Sequence, residues 1–226
     1  MEDITKISIV IPTKNEEKTI AGIVDDCLPY GDEVLLVDGH STDNTREVAS
    51  QHGARIVLDN GHGKGDGLRV SLREAIGDIV VFIDADGSHS PADIPILLQP
   101  LLDNEADLVV ASRMRGGSDE LHGTVSEFIR LVGSGIITQV INLRYGANLT
   151  DSQNGFRAIR REVGLKIGLK EDIFTIEQEM IMKVLKNGFR ISEVPSHEFA
   201  RKHGTSGIVV SKVWHRYIWC LLKGII

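Results

Sequence analysis

Ile79-Val80-Val81-Phe82-Ile83-Asp84-Ala85-Asp86 is an apolar run that stops at two carboxylates spaced i, i+2. An unbroken run of this kind predicts a strand buried on both faces, as in a parallel sheet covered by helices. On a strand, residues i and i+2 point the same way and stand roughly 7 Å apart. Asp84 and Asp86 are therefore expected to share one face at the strand's carboxyl end. Paired oxygen donors suit a hard divalent cation, Mg2+ or Mn2+, which can bridge protein carboxylates to a substrate's phosphates. That chemistry points to a nucleotide diphosphate. The plainer alternative is a pair of solvated turn acids.

Working outward, Ile7 to Pro12, Glu33 to Asp38, Arg55 to Leu58, Asp78 to Asp84 and Asp107 to Ala111 read as strands separated by helical patterns. This βαβ alternation predicts an α/β fold with a mostly parallel sheet and helices on both faces. Ser90-Pro91-Ala92-Asp93 supplies an N-cap, a first-turn proline and an early acid. The two aspartates then fall in a strand-to-helix loop, at the sheet edge where open α/β folds bind ligands. Further on, Glu127 to Leu143 and Ile176 to Leu185 read as helices, and Phe156 to Arg160 and Arg190 to Phe199 as strands. With no repeat, low-complexity tract or linker, one domain is expected.

At 226 residues and 42% hydrophobic content the chain can bury a substantial core. A net charge of -7 and a pI near 5.6 argue against a nucleic-acid binder, because there is no broad excess of Lys and Arg. Cys27 and Cys220 are far apart and lack metal-ligand spacing, which fits a reducing compartment, by default the cytosol. Met-Glu-Asp-Ile-Thr-Lys at the amino end has no signal-peptide character. No window of roughly 18 to 20 apolar residues is available to span a bilayer. The stretch from Val213 to Ile226 mixes Trp and Tyr with Lys and Arg. It suits either a helix lying at the headgroup level of a membrane or a terminal helix docked on the domain.

Other residues carry possible chemistry. Asp38 ends the second predicted strand and is positioned to accept hydrogen bonds from a base or ribose, and Ser41-Thr42-Asp43-Asn44-Thr45 can cap the next helix. Gly61-His62-Gly63-Lys64-Gly65-Asp66-Gly67 precedes a helix. Its glycines would let backbone amides approach phosphate oxygens and Lys64 would add a charge, or the segment is a flexible surface loop. Arg113, Arg115, Arg130, Arg157 and Arg201 follow elements of the second half. Singly they read as surface ion pairs, but converging near a metal they would make an anion site.

Together these stretches resemble the family 2 glycosyltransferases of GT-A fold, and within them the polyprenyl-phosphate sugar synthases, the group of dolichol-phosphate mannose synthase. The motifs are Val10-Ile11-Pro12-Thr13-Lys14-Asn15-Glu16, Val37-Asp38-Gly39, Asp84-Ala85-Asp86 and Ala111-Ser112-Arg113. They continue with Arg130 and Ser134, Asp151-Ser152-Gln153-Asn154-Gly155-Phe156-Arg157, Ile176-Glu177-Gln178-Glu179, Glu193-Val194-Pro195, and Arg201 with Gly204-Thr205-Ser206. The resemblance runs over nearly the whole chain. It implies a Rossmann-like single domain over residues 1–211, with a nucleotide-binding half to about residue 115 and an acceptor half over 116–211, followed by a C-terminal helix over 212–226.

By that resemblance Pro12, Asn15, Glu16, Asp38, Lys64 and Asp84 hold the nucleotide sugar, and Asp84 and Asp86 the Mg2+ or Mn2+ ion on its diphosphate. Arg113, Arg130, Ser134 and Arg201 match positions that hold an acceptor phosphate, and Asp86, Arg113 and Asp151 are the expected catalytic residues. The synthases often carry a glutamine two residues after the second aspartate, whereas Gly87-Ser88-His89 stands here. The implied reaction is inverting transfer from a nucleotide diphosphate sugar, GDP-mannose first and a UDP-sugar next, to a polyprenyl (dolichyl) phosphate. It would run at the cytoplasmic face of a membrane, with the protein bound peripherally. The alternative is a hydroxyl acceptor, which needs a base, with Asp151 the first candidate and Glu177 the second. A non-catalytic nucleotide-sugar sensor and a nucleotidyltransferase are further alternatives. The latter usually carries a glycine-rich, arginine-containing loop after its first strand, and that loop is missing from this sequence.

Overall fold

A computed structural model describes residues 5–120, 125–201 and 210–226. Its strands are β1 (Ile7–Thr13), β2 (Glu33–Asp38), β3 (Arg55–Leu58), β4 (Ile79–Phe82), β5 (Leu108–Ser112), β6 (Arg157–Arg160) and β7 (Ile191–Pro195). The helices are α1 (Ile20–Cys27), α2 (Thr45–Gln51), α3 (Lys64–Glu74), α4 (Ile94–Leu102), α5 (Arg113–Gly116), α6 (Val125–Tyr145), α7 (Arg161–Lys166), α8 (Ile176–Lys186) and α9 (Val210–Ile225). The sheet order is β3-β2-β1-β4-β6-β5-β7. Its pairings are parallel except where β6 lies antiparallel between β4 and β5. This is the expected α/β architecture, a mostly parallel sheet covered on both faces.

Each central strand feeds two cores, because successive side chains leave opposite faces. Ile9, Ile11, Ile79 and Val81 join Ile20, Val24 and Leu97 of α1 and α4 on one face. Val10, Val80, Phe82 and Val110 join Leu68, Ile141, Met180 and Cys220 of α3, α6, α8 and α9 on the other. Burial on both faces is why the strands read as unbroken apolar runs.

Three local expectations need correction. β4 stops at Phe82 rather than Asp84, so Asp84 and Asp86 belong to the following loop and do not share a strand face. Arg190 to Phe199 is a strand only over Ile191–Pro195. The glycine-rich segment is not a loose loop, because α3 begins at Lys64. Gly63 there has a φ of +114°, and Gly65 donates its N–H to Asp172 O at 2.8 Å. A Cβ on Gly65 would come within 2.2 Å of Glu171 O. Close packing against the chain at 171–172 explains that glycine without a phosphate.

The C-terminal helix is docked and also exposed. Gln178 Nε2 donates to Tyr217 O (3.1 Å), Arg144 Nε donates to Ile225 O (2.7 Å), and the Tyr145 hydroxyl donates to Gly224 O. Its opposite side leaves Trp214, Ile218, Trp219 and Leu222 exposed, beside exposed Phe128, Ile129, Val132 and Ile136 of α6. Among the described residues, no helix is long and apolar enough to cross a membrane. The Gly204-Thr205-Ser206 stretch lies outside the described residues.

Candidate functional site

A cleft of about 990 Å3 opens at the carboxyl ends of β1 and β4. Pro12, Asn15 and Glu16 form one side of it, and Lys64, Asp84 and Asp86 its floor. The Asn15 to Glu17 turn, where Asn15 adopts a φ of +57°, is held by the polar cluster that follows β2. Asn15, Glu16 and Glu17 donate their backbone N–H groups to Ser41 Oγ (2.8 Å), Thr45 Oγ1 (2.8 Å) and Asp43 Oδ2 (3.3 Å). The cluster expected to cap a helix thus mainly fastens the cleft rim. Asp38 is fully buried behind the rim, between the cleft residues Val37 and Gly39. Its Oδ2 accepts from Ser41 N (2.9 Å), while Oδ1 has no hydrogen-bond partner among the described residues.

The carboxylates are already matched by side-chain cations. Lys64 Nζ lies 2.7 Å from Asp84 Oδ1 and 3.0 Å from Glu177 Oε1. Burial alone would raise the Asp84 carboxyl, but the Lys64 ammonium, helped by Arg201, holds it below the ordinary carboxylate range. Asp86 Oδ2 meets Arg201 Nη1 at 2.8 Å, and its Oδ1 accepts from Ser88 N at 3.0 Å. Glu16 on the facing side is raised by burial and then by Asp86. His89 lies against Phe156, with a buried Nδ1 that has no hydrogen-bond partner among the described residues. Burial lowers its pKa, outweighing Asp84 and Glu198, so the imidazole is neutral.

Among the described residues no group of three or more His, Cys, Asp or Glu side chains could cage a metal alone. Two carboxylates, each compensated by a side-chain cation, nevertheless fit a Mg2+-type ion. Such an ion takes one or two protein carboxylates and completes its shell with water and substrate phosphates.

The expected acceptor residues divide. Arg113, Arg130, Ser134 and Arg201 all line the cleft. Arg113 is engaged at all three nitrogens: Nε and Nη2 grip Asp151 at 2.6 and 3.0 Å, and Nη1 meets Glu198 at 3.3 Å. Arg201 is shared between Asp86 and Glu120. Arg130 makes no ion pair or hydrogen bond among the described residues. Asp151 is 2% exposed and absent from the cleft wall, with both oxygens held by Arg113 and Oδ1 also by Gln153 N. Burial would raise its carboxyl, but Arg113 holds it below the usual range. A carboxylate so committed makes a poor general base.

Two of the five arginines lie apart from the cleft. Arg115 bonds Glu193 O, and Arg157 is fully buried on the carbonyls of Asn154 and Glu177. The structure also brings in residues that motif reading passed over or assigned elsewhere: His89, Gln153, Glu198 and Tyr217 line the cleft. Gln153 was hidden beside Asp151 in its motif, and Tyr217 reads as an interfacial aromatic until its helix is seen packed on α8. Glu198 carries no motif signal.

The family profile of Glycosyl transferase family 2 matches residues 8–168. The chain belongs to that family. As a family 2 domain it is similar to glycosyltransferase AglJ of Haloferax volcanii, 35% identical over 88% of this chain and 65% of AglJ. It thus spans less than two thirds of that relative's length. It is 27% identical, over 94% of each chain, to the UDP-N-acetylglucosamine--dolichyl-phosphate N-acetylglucosaminyltransferase of Methanococcus voltae. Among solved structures, glucosyl-3-phosphoglycerate synthase from Mycobacterium tuberculosis superposes with a TM-score of 0.77 at 27% identity, covering 98% of this chain and 78% of that one. That synthase was crystallised with Mn2+, UDP and phosphoglyceric acid. The family 2 domain therefore has the GT-A fold.

Proposed function

We propose that this family 2 domain transfers a sugar, with inversion, from a nucleotide diphosphate sugar to the phosphate of a polyprenyl phosphate at a membrane surface. One observation carries the reading: a single cleft has the Asp84/Asp86 pair on its floor and Arg113, Arg130 and Arg201 on its walls, and it opens beside exposed apolar side chains. Ile129 and Ile136 of α6 and Trp214 and Ile218 of α9 line the cleft while also standing exposed. A lipid chain leaving the cleft there would stay in contact with apolar surface.

Pro12, Asn15, Glu16 and Asp38 would hold the base and ribose, and Lys64, Asp84 and Asp86 the diphosphate end. The relatives whose names give a donor carry UDP, which supports a UDP-sugar over GDP-mannose. Asp84 and Asp86 would bind Mg2+ or Mn2+, and a cation there offsets charge on the departing nucleoside diphosphate. Displacement from Asp84 leaves Lys64 free to turn to the phosphates.

The acceptor explains why no base is needed. A phosphate monoester has a second pKa of about 6, so near neutrality it is already an anionic nucleophile. The locked Asp151 agrees with that, since a hydroxyl acceptor would require an available base. Arg130 would capture the acceptor phosphate, with Ser134 one helical turn along and Arg201 nearby. Proximity and charge then do the catalytic work.

Arg130→Ala tests this assignment. The expected result is a rise in acceptor KM of roughly tenfold or more, since a charge-assisted hydrogen bond is lost, with donor affinity unchanged. Equal loss of donor affinity would remove Arg130 from the acceptor site.

A further inference from the structure

Gln153 Oε1 and Glu177 Oε2 are shut off from solvent without a hydrogen-bond partner among the described residues, and both residues line the cleft. Buried acceptors in folded proteins are normally satisfied. The rest of each side chain is committed. Glu177, 2% exposed, gives its Oε1 to Lys64. Gln153 Nε2 donates to Ser152 Oγ at 3.0 Å and to Gln178 Oε1 at 3.4 Å. With the amide nitrogen facing two acceptors, the amide oxygen is turned away from them, which fixes the orientation of the group.

These atoms need hydrogen donors, which narrows the ligand. A diphosphate offers acceptors only and would be repelled by Glu177. A hexose offers hydroxyl donors. Glu177 is joined through Lys64 to Asp84, so it lies one side chain from the diphosphate end of the cleft, where a transferred sugar must sit. Tyr217 reaches the same region from α9, its phenol pushed up by burial and then by Glu177.

We propose that Gln153 and Glu177 accept hydrogen bonds from hydroxyl groups of the transferred sugar, with Tyr217 closing this subsite from the C-terminal helix. The inference rests on the reading that the cleft binds a nucleotide sugar. It makes these residues the determinants of which sugar is used. A site built to bond a hydroxyl discriminates strongly against an analogue without it, because its buried polar groups are left unpaired.

The test is equilibrium binding to the whole chain with Mg2+, using UDP-glucose, UDP-N-acetylglucosamine and GDP-mannose beside UDP and GDP. Gln153→Ala and Glu177→Gln are expected to weaken the preferred nucleotide sugar by roughly tenfold relative to its nucleoside diphosphate, and Gln153→Ala, which removes no partner of Lys64, is expected to leave the diphosphate affinity within about twofold. Thermal unfolding near that of the unsubstituted chain reports that each variant is folded. A monodeoxy form of that sugar should bind the unsubstituted chain as weakly as the parent sugar binds the variant, with no further loss when the two changes are combined. Equal weakening of sugar and diphosphate, or no weakening in either variant, would overturn the inference. If the unsubstituted chain binds none of the nucleotide sugars, the donor-site reading fails first and takes this inference with it.

Discussion

Gly155 meets the Lys64–Asp84 pair: a Cβ there would lie 2.7 Å from Asp84 Oδ2 and 2.9 Å from Lys64 Nζ. Both atoms are ends of flexible side chains, so Gly155→Ala should fold with little loss of stability and weaken donor binding by pushing the pair aside. A melting temperature near wild type with a raised donor Kd is the expected result. Asp151→Ala should behave in the opposite way. Its ion pair with Arg113 is buried, with side chains 1% and 9% exposed, and removing one partner of such a pair costs about 3 kcal/mol or more. Denaturant unfolding should register that loss, whereas a catalytic base would lose turnover with stability kept. For His89, the folded pKa lies below the ordinary 6.5. The unfolded chain then binds a proton that the folded chain refuses, and stability falls as pH drops below about 6.5. His89→Asn should flatten that part of the unfolding free energy against pH.

At the scale of elements, the strands were legible because burial on both faces writes an unbroken apolar run, as at β4 and β5. Strand ends were less so. Ile83 is apolar and buried, but it lies beyond the last ladder pairing of β4, at Phe82. The run continues into a loop that is itself part of the core. Gly65 was hard to read for a related reason: its local pattern fits an anion loop, while the backbone it accommodates lies at 171–172, far along the sequence. The pairing of Arg113 was equally hidden, since Asp151 and Glu198 reach it across the fold. Helix α9 was legible as amphipathic, but only packing shows which side faces α6 and α8 and which side is bare. Replacing the exposed Trp214 and Trp219 together by Ser should reduce binding to lipid vesicles without lowering stability. Comparable unfolding of the variant and wild type, measured beside vesicle co-sedimentation, separates a surface role from a packing role.

Across the whole molecule, three arginines, Arg113, Arg130 and Arg201, meet at one cleft of an acidic chain, where Asp86, Asp151 and Glu198 pair with Arg113 and Arg201. Among the described residues Arg130 has no such partner, so under the proposed function it would offer an incoming phosphate an uncommitted guanidinium. The family and fold could be read from motif order, because sheet edges at β1, β2 and β4 carry the motifs in sequence. The division of labour among the arginines and carboxylates could not, because it depends on pairings between distant segments. The most direct measurement is transfer of labelled sugar from UDP-glucose, UDP-N-acetylglucosamine or GDP-mannose to a short polyprenyl phosphate, with Mg2+ or Mn2+. An acid-labile label entering the organic phase from one donor, and lost in Arg130→Ala, is the predicted result. Donor binding or slow hydrolysis with label passing only to hydroxyl acceptors would contradict the account.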